Sequence, residues 1–313
     1  MEFKIEQYSQ QAKKSLDDFV GNAKNATFLF YRDYMDYHSD RFQDCSLMVY
    51  RKAKLYALLP GNREGNTFYS HQGLTYGGLL MSNKATAVDI LEAFYNINDY
   101  LRGAGIENVI YKPTPYIYHR IPSQEDLYAL FRTTDAHIIG RNISSAIYQD
   151  EKLKFIESRK SGIRKALSNN ITVDMSDDFE AFWNILSSNL KNKYGVAPVH
   201  SLDEIKLLKS RFPQNIKLYL AYKDGKAIAG TVLYLTRKVL HTQYISASPE
   251  GKELGALDLL FDILINRKYT NFPIWDFGQS TEDMGHNLNE SLIFQKEGFG
   301  GRGMCYDIYE YSI

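Results

Sequence analysis

The segment from Asp276 to Lys296 is far more polar than a connection between two elements requires. It holds four acids, three hydroxyls, a histidine, several amides and a lysine, and it follows a buried-looking strand. Polar loops that follow strands are where α/β proteins usually bind substrates. Asp276 could orient or deprotonate an amine, Glu282 could act as a base, and Lys296 could stabilise an oxyanion or bind a phosphate. Ser280 is a candidate for substrate contact, although any one of these side chains could instead be solvated or cap a helix.

A second candidate is the turn from Ser248 to Leu257, which contains two glycines and lies between a predicted strand and a predicted helix. Its backbone N–H groups would face a phosphate or carboxylate at the helix N-terminus, with Gly255 and Ala256 at the turn and Lys252 as an added cation. A glycine turn that merely starts the helix explains the pattern equally well. Neither Gly-x-x-x-x-Gly-Lys-Ser/Thr nor Gly-x-Gly-x-x-Gly is present.

A predicted basic helix over residues 154–167 offers another contact for anions. Arg159 and Arg164 are candidates for substrate binding, and the four-residue spacing of Lys160 and Arg164 places an ammonium and a guanidinium group on one face. The competing interpretation is an ordinary solvated helix face.

Two histidines are candidates for substrate contact. His200 precedes a helix that Ser201 can start with a capping box, so capping already explains its surroundings. His241 and Gln243 alternate on a predicted strand, and we expect them to share one face of it, with Tyr244 on the other. A structural, hydrogen-bonded histidine is the alternative for His241.

Composition excludes several classes of protein. The chain has 313 residues, 44% of them apolar, which suits two domains of about 150 residues. Lys plus Arg and Asp plus Glu number 37 each, so no global field favours DNA or an anionic membrane. Cys45 and Cys305 are expected to be unpaired, and no His-x-x-x-His pair occurs, so we expect no metal. The absence of a signal peptide and of any apolar run of about 18 residues predicts a cytoplasmic protein without a membrane span.

The two halves of the chain show the same order of predicted elements: strand, hairpin turn, strand, strand, glycine loop, helix and strand. In the first half the helix is predicted over residues 85–102 and the last strand over 108–112. In the second half they are predicted over 255–266 and 273–277. Such an internal echo indicates a tandem duplication.

The pattern becomes polar between residues 149 and 157. We therefore predict a mixed α/β (α+β) fold with an N-terminal domain over residues 1–150 and a C-terminal domain over 151–313. The second domain contains a further amphipathic helix over 176–192, which Ser176 or Asp177 could cap.

Two segments of the second half resemble the FemAB-type branch of the GNAT acyltransferase superfamily, in particular the FemAB-like acetyltransferase domain found in many bacterial proteins. Residues 159–166 are similar to the basic helix of that family. Gln295-Lys-Glu-Gly-Phe-Gly-Gly301 is similar to its terminal Phe-Lys-x-Gly-Phe-Gly-Gly signature.

The resemblance implies two tandem GNAT-like domains with a substrate groove between them. It also implies an N-acyltransferase that uses acetyl-CoA or another acyl-CoA as donor and an amine as acceptor, for example a cell-envelope or polysaccharide precursor. Residues 252–257 keep only the first glycine of the usual Gln/Arg-x-x-Gly-x-Gly/Ala loop. Two alternatives stay open: a non-catalytic ligand-binding module, and aminoacyl transfer from tRNA to a peptidoglycan-type precursor. The sequence lacks the long helical hairpin of relatives that use tRNA, so tRNA is not an expected partner.

Overall fold

The chain folds into two compact units, one of which takes its residues from both ends of the sequence. The computed structural model describes residues 3–313. Unit 1 is built from the chain up to Asn142 together with Thr281–Asn287 and Cys305–Ile313, and unit 2 from Ile143–Ser280 and Leu288–Met304. The division thus falls near residue 142 instead of near 150, and unit 1 includes the last segment because the final strand pairs with a strand of the first half.

Short strands and helices alternate along the chain. Up to residue 148 the elements are, in order, β1 (Phe3–Gln7), α1 (Lys13–Asn22), α2 (Arg32–Met35), β2 (Gln43–Asp44), β3 (Leu47–Arg51), β4 (Lys54–Leu59), β5 (Asn62–Glu64), β6 (Thr67–Tyr69), β7 (Leu80–Met81), α3 (Ala87–Gly103), β8 (Asn108–Tyr111), α4 (Glu125–Thr133) and β9 (His137–Tyr148). From residue 157 onward they are α5 (Glu157–Ser168), β10 (Thr172–Ser176), α6 (Phe179–Tyr194), α7 (Leu202–Arg211), β11 (Ile216–Lys223), β12 (Lys226–Leu235), β13 (Val239–Ala247), α8 (Pro249–Glu253), α9 (Ala256–Ile263), β14 (Ile274–Gln279), β15 (Thr281–Glu282), β16 (Asn287–Leu288), α10 (Glu290–Gly298) and β17 (Arg302–Ser312).

Unit 1 has its core beneath α3. Thr86 caps this helix by accepting a hydrogen bond from the Asp89 N–H, and Phe94 and Leu101 lie on its buried face. One sheet has the strand order β1-β3-β4-β7. In a second sheet, strands β8, β6, β5 and β2 lie in that order beside the end of β17. The core therefore joins residues of the first half to Tyr311 of β17.

Unit 2 contains a sheet with the strand order β10-β11-β12-β13-β14-β9 and helices on both faces. Helix α9 covers the face on which Ala229, Leu233 and Trp275 are buried. The opposite face meets α6, where Phe182 packs against Gly230 of β12. Strand residues alternate between faces, so neighbours in sequence serve different layers.

Helix α6 has the predicted apolar stripe but not the predicted start. Phe179, Phe182 and Trp183 are buried as expected. The N-cap is Asp178, whose side chain accepts a hydrogen bond from the Ala181 N–H at 3.0 Å. The two caps predicted from the sequence, at the preceding two positions, are wrong because that part of the chain ends strand β10.

The predicted echo of the two halves appears as one shared motif. In unit 1, β6 and β8 pair in parallel, and α3 lies between them in sequence. In unit 2, β13 and β14 pair in parallel, and α9 lies between them. Parallel strands require a crossover connection, which each helix supplies. The duplicated order of elements thus corresponds to a repeated β-α-β unit.

Helices α5 and α9 approach closely at two glycines. A Cβ atom on Gly162 would lie 1.8 Å from the Asp258 Oδ2 atom, and one on Gly255 would lie 2.4 Å from the Gly162 carbonyl oxygen. Gly255 also has a φ angle of 72°, which side chains disfavour. The start of α9 is therefore fixed by the packing of α5.

We expect Gly162→Ala to destabilise the protein by about 1–3 kcal/mol, because the added methyl group must displace the Asp258 carboxylate. Gly103→Ala is the matched control, since nothing lies within 4 Å of the corresponding Cβ position. It should be neutral or stabilising by up to about 1 kcal/mol. Thermal and urea unfolding of both variants measure the difference, and equal stability of the two would contradict a tight crossing.

Unit 1 contains a buried contact between two imidazole rings. His38 and His71 are 1% and 2% exposed, and their rings stack with centroids 5.2 Å apart. The Gly73 N–H donates to His71 Nδ1 at 3.1 Å. Burial lowers the pKa of His38 to about 4 and that of His71 to about 3, helped by the charge of Arg41 and by the neighbouring imidazole respectively. Both rings are neutral in the folded protein at neutral pH.

Stability should fall as the pH decreases from about 7 to about 4, because the unfolded histidines, with pKa values near 6.5, bind protons before the folded ones do. His71→Asn keeps an acceptor for the Gly73 N–H and removes one titrating group, so its loss of stability over this range should be smaller. Urea unfolding of both proteins at each pH gives the difference. Taking this difference cancels the contributions of Asp126 and Asp258 to the pH dependence. Burial raises the pKa values of both carboxyl groups to about 6, so they act in the opposite sense. Parallel curves would show that His71 is not the titrating group.

Candidate functional site

The central feature of unit 2 is the point at which β13 and β14 separate. The two strands pair in parallel for three residue pairs, Val239 with Ile274, Leu240 with Trp275 and His241 with Asp276. Beyond this point β13 continues against β12 to Ala247, and β14 continues against β9 to Gln279. We call the opening between the two strands the fork. Within residues 3–313 the ladder between them stops at His241, so the facing edge of β13 offers backbone groups to a ligand.

Asp276 lies at the apex of the fork and is completely buried. Its carboxylate accepts hydrogen bonds from Ser144 Oγ, from the Gly278 N–H at 3.0 Å and from His241 Nδ1 at 2.9 Å. Ser144 belongs to β9, Gly278 to β14 and His241 to β13, so one side chain joins three elements. The carboxylate is held rigidly and does not face solvent.

The prediction for the face of His241 is wrong in one respect. The register pairs Tyr244 with Val232 but Thr242 with Leu233, which leaves Gln243 as an extra residue in β13. This bulge reverses the alternation, so Tyr244 lies on the same face as His241. Gln243 is only partly buried. A two-residue period cannot reveal an inserted residue, which explains the error.

Lys296 approaches the other side of the fork from α10. It is 3% exposed, and its ammonium group donates to the carbonyl oxygens of Gly278 at 2.9 Å and Gln279 at 2.6 Å. Burial lowers the pKa of Lys296 to about 8, and the negative charge of Asp276 partly offsets this effect. The ammonium group therefore fixes the end of β14.

The segment after Lys296 turns the chain from α10 into β17. The Gly300 N–H donates to the Glu297 carbonyl at 2.8 Å, and the Gly301 N–H donates to the Lys296 carbonyl at 3.2 Å. Gly300 has a φ of 93°, and Phe299 is buried in the core of unit 2. The glycine-rich signature thus serves as the end of a helix and as an anchor for Lys296.

The predicted anion-binding turn lies between β13 and α9. Gly255 is the N-cap of α9, and Ala256, its first residue, is fully buried. The exposed Lys252 donates to Asn189 Oδ1 at 3.1 Å. Asn189 of α6 also donates to Ser246 Oγ at 2.7 Å, which ties α6 to the end of β13. Gly255 and Ala256 thus form the start of α9, whereas Lys252 belongs to the preceding helix α8 and contacts α6.

The two predicted arginines of α5 already have acidic partners. Arg159 lies 2.7 Å from Asp258 and stacks over the Phe299 ring, with its guanidinium carbon 5.6 Å from the ring centroid. Arg164 lies 2.7 Å from Glu157, on the exposed surface. Arg159 thus contributes to packing, and any contact of either side chain with a substrate remains a prediction.

His200 is buried at the start of α7 and packs against Tyr244 and Trp183. The Nδ1 atom of His200 lies 2.5 Å from the Tyr244 hydroxyl, and the backbone N–H of His200 donates to the same hydroxyl at 3.2 Å. The Trp183 Nε1–H donates to the His200 backbone carbonyl at 3.1 Å. The predicted capping box of Ser201 and Glu204 is confirmed. His200 therefore anchors the connection between α6 and α7 to β13.

The remaining two predicted residues, Ser280 and Glu282, belong to different units. Ser280, in unit 2, is 1% exposed, and its Oγ atom has no hydrogen-bond partner among residues 3–313. Glu282 is exposed on the short strand β15 and belongs to unit 1. The structure thus groups Ser280, Asp276 and Lys296 in unit 2, and it does not include Glu282 in that group.

Sequence reasoning missed three residues that hold this cluster together: Ser144, Asn189 and Gly278. Ser144 lies 132 residues from its partner Asp276, and Asn189 lies 63 residues from its partner Lys252, so no local pattern connects them. Gly278 could have been noticed, because an isolated glycine at the end of a strand indicates a bulge or a close approach.

Residues 3–313 show neither a metal-binding cluster nor a membrane-spanning helix. They contain no group of three or more His, Cys, Asp or Glu side chains arranged to hold a metal ion. None of their helices is both long enough and apolar enough to cross a bilayer. The two cysteines are unpaired, as expected.

Comparisons with known proteins agree with this architecture. Residues 155–283 match the family model described as "Acetyltransferase (GNAT) domain". The crystal structure of FemX is similar over 100% of this chain and 98% of its own, with a TM-score of 0.69 and 11% identity. L-PGS from Bacillus licheniformis is similar over 97% and 91%, with a TM-score of 0.58 and 10% identity. A tandem GNAT protein from the clavulanic acid biosynthesis pathway is similar over 99% and 98%, with a TM-score of 0.50 and 10% identity. No curated protein matches the sequence.

We expect Lys296→Met to lower the free energy of unfolding by about 1–3 kcal/mol, because it leaves two buried carbonyl oxygens without a donor. The exposed Lys206 of α7 is the control, and Lys206→Met should have no effect beyond about 0.5 kcal/mol. Urea unfolding measures both. Unchanged stability of Lys296→Met would mean that the ammonium group does not hold β14.

Proposed function

We propose that this chain, a FemAB-like member of the GNAT superfamily with two GNAT-like units and hence an acyltransferase, transfers an acyl group from acyl-CoA to an amine. The observation that carries the proposal is the fork between β13 and β14, together with the start of α9, which follows β13 and α8 along the chain. It offers a strand edge and a helix N-terminus in succession along one chain segment.

The two parts of the fork suit the two parts of CoA. The pantetheine arm is an extended chain with amide groups, which can pair with the edge of β13 beyond His241 as an added strand does. The diphosphate carries negative charge, which the first N–H groups of α9 and the Lys252 ammonium group attract. The Asn189 carbonyl holds Lys252 beside this turn.

The chemistry we propose is direct attack of the acceptor amine on the thioester carbonyl. Lys296, Asp276 and Ser280 surround the apex of the fork, where the thioester would lie once the diphosphate occupies the start of α9. A strand N–H group and the Lys296 ammonium group would stabilise the negative charge that develops on the carbonyl oxygen atom. Direct transfer needs proximity and a proton acceptor but no covalent enzyme intermediate.

The donor distinguishes this proposal from its two rivals. A transferase that used aminoacyl-tRNA would need side chains free for many phosphate contacts. On α5, Arg159 is neutralised by Asp258, and Lys160 and Arg164 share Glu157. A binding module without activity would bind acyl-CoA without releasing the thiol, so turnover separates it from a transferase. A cytoplasmic location, expected from the sequence, fits a donor that is an acyl-CoA.

Isothermal titration with acetyl-CoA and a panel of longer acyl-CoAs tests the donor. We expect binding to the parent protein, and Lys252→Ala should weaken it about fivefold, corresponding to about 1 kcal/mol for one exposed ion pair. The control variant is Lys206→Ala, which removes an exposed lysine of α7 outside the fork and should bind normally. Failure of every acyl-CoA to bind at high concentration would sink the proposal.

A further inference from the structure

We infer that His241, held in place by Asp276, is the group that takes the proton from the acceptor amine. The inference rests on the proposed acyl transfer, and it changes the role first expected of Asp276 from base to positioning residue. His241 and Asp276 form the last residue pair before β13 and β14 separate, so the imidazole lies at the apex of the fork.

The burial of the two side chains decides between them as the base. Asp276 is 0% exposed, and three donors from three strands surround its carboxylate. The His241 side chain is 12% exposed. A base must come within hydrogen-bond reach of the proton that it removes. The partly exposed imidazole meets this condition, and the enclosed carboxylate does not.

The contact with Asp276 fixes the tautomer of His241. A carboxylate only accepts hydrogen bonds, so the Nδ1 atom that lies 2.9 Å from Asp276 Oδ2 carries the proton. In the neutral ring the lone pair then belongs to Nε2. An acid that orients a histidine in this way also stabilises the imidazolium that forms when the ring accepts a proton.

Gly278 keeps one edge of the imidazole clear. A Cβ atom at this position would lie 3.2 Å from His241 Cε1 and 3.6 Å from Nε2. The φ angle of 76° at Gly278 also disfavours any side chain. A side chain at this position would therefore press against the Cε1 and Nε2 edge of the ring.

The proposed step balances without another reactant. The amine nitrogen bonds to the thioester carbon, the C–S bond breaks, and the nitrogen loses one proton to His241 Nε2. The imidazolium returns that proton to the departing CoA thiolate, which gives an amide and the free thiol. No metal, oxidant or covalent intermediate is required.

The other ionisable groups around His241 come from every neighbouring strand and from α10. Tyr234 of β12 pairs with His241 in the register, Tyr244 shares its face on β13, and Asp276 contacts it from β14. Lys296 of α10 interacts electrostatically with Asp276. Asp276 contacts His241 with a fully buried carboxylate, so replacing Asp276 is the change that should alter the surroundings of the Nδ1 atom of the ring.

Long-range nitrogen NMR on the full-length parent protein gives a test that does not depend on turnover. We expect neutral His241 to carry its proton on Nδ1, and we expect the Nδ1 signal to shift in Asp276→Asn, because the ring loses its charged acceptor. A proton on Nε2, or an unchanged Nδ1 signal in Asp276→Asn, would overturn the inference.

Thiol release from acetyl-CoA, with ethanolamine, glucosamine and a lysyl dipeptide as amine probes, gives the second test. We expect His241→Gln, whose amide can still donate to Asp276, to lower kcat about 10²–10⁴-fold and to leave KM for acetyl-CoA unchanged. His137→Gln changes an exposed histidine of unit 1 and should match the parent. Full activity of His241→Gln would refute the role of the ring. If acetyl-CoA binds but none of the amines reacts in the parent, transfer to amines fails, and the inference fails with it.

Discussion

A buried ammonium group holds the strand end at which the sheet of unit 2 opens. Lys296 donates to two successive carbonyl oxygens at the end of β14, just beyond the residues that pair with β13. A charged amine is costly to bury, and here carbonyl oxygens and the nearby charge of Asp276 compensate it. The positions of Gly278 and Gln279 beside the fork depend on this contact.

The polar groups around the fork have different degrees of freedom. Asp276 is enclosed by donors and Lys296 by acceptors, so both have fixed positions. His241 and Lys252 lie nearer to solvent, where they contact Asp276 and Asn189 respectively. The buried pair thus forms a rigid support, and the accessible pair lies where a ligand can reach it. Preorganised groups of this kind need no rearrangement when charge develops.

The sequence predicted the elements well, because hydrophobic periodicity and turn chemistry are local properties. The hairpin at Asp224-Gly225, the capping box at Ser201 and the repeated β-α-β order all follow from neighbouring residues. The faces of elements were less predictable. Val88 of α3 is an apolar residue but is 73% exposed, because packing of the helix against its sheets, and not its own pattern, selects the buried side.

The candidate site was predicted in part, and the limit is again physical. Asp276 and Lys296 lie in one polar segment, which made them visible together. The histidine that contacts Asp276 and the serine that shares it come from other strands, and only the register of the sheet brings them into contact. A bulge at Gln243 then moved Tyr244 to the face of His241. Contacts across a sheet depend on such registers, which no single strand encodes.

The assignment of residues 305–313 to unit 1 has a consequence for the order of folding during synthesis. Strand β17 pairs with β8, and Tyr311 is buried in the core that α3 covers. The first 142 residues therefore lack one strand and a buried aromatic ring until the distant end of the chain has been made. Unit 2, by contrast, contains nothing beyond Met304. The half of the sequence that is translated first is thus the one whose unit is completed last.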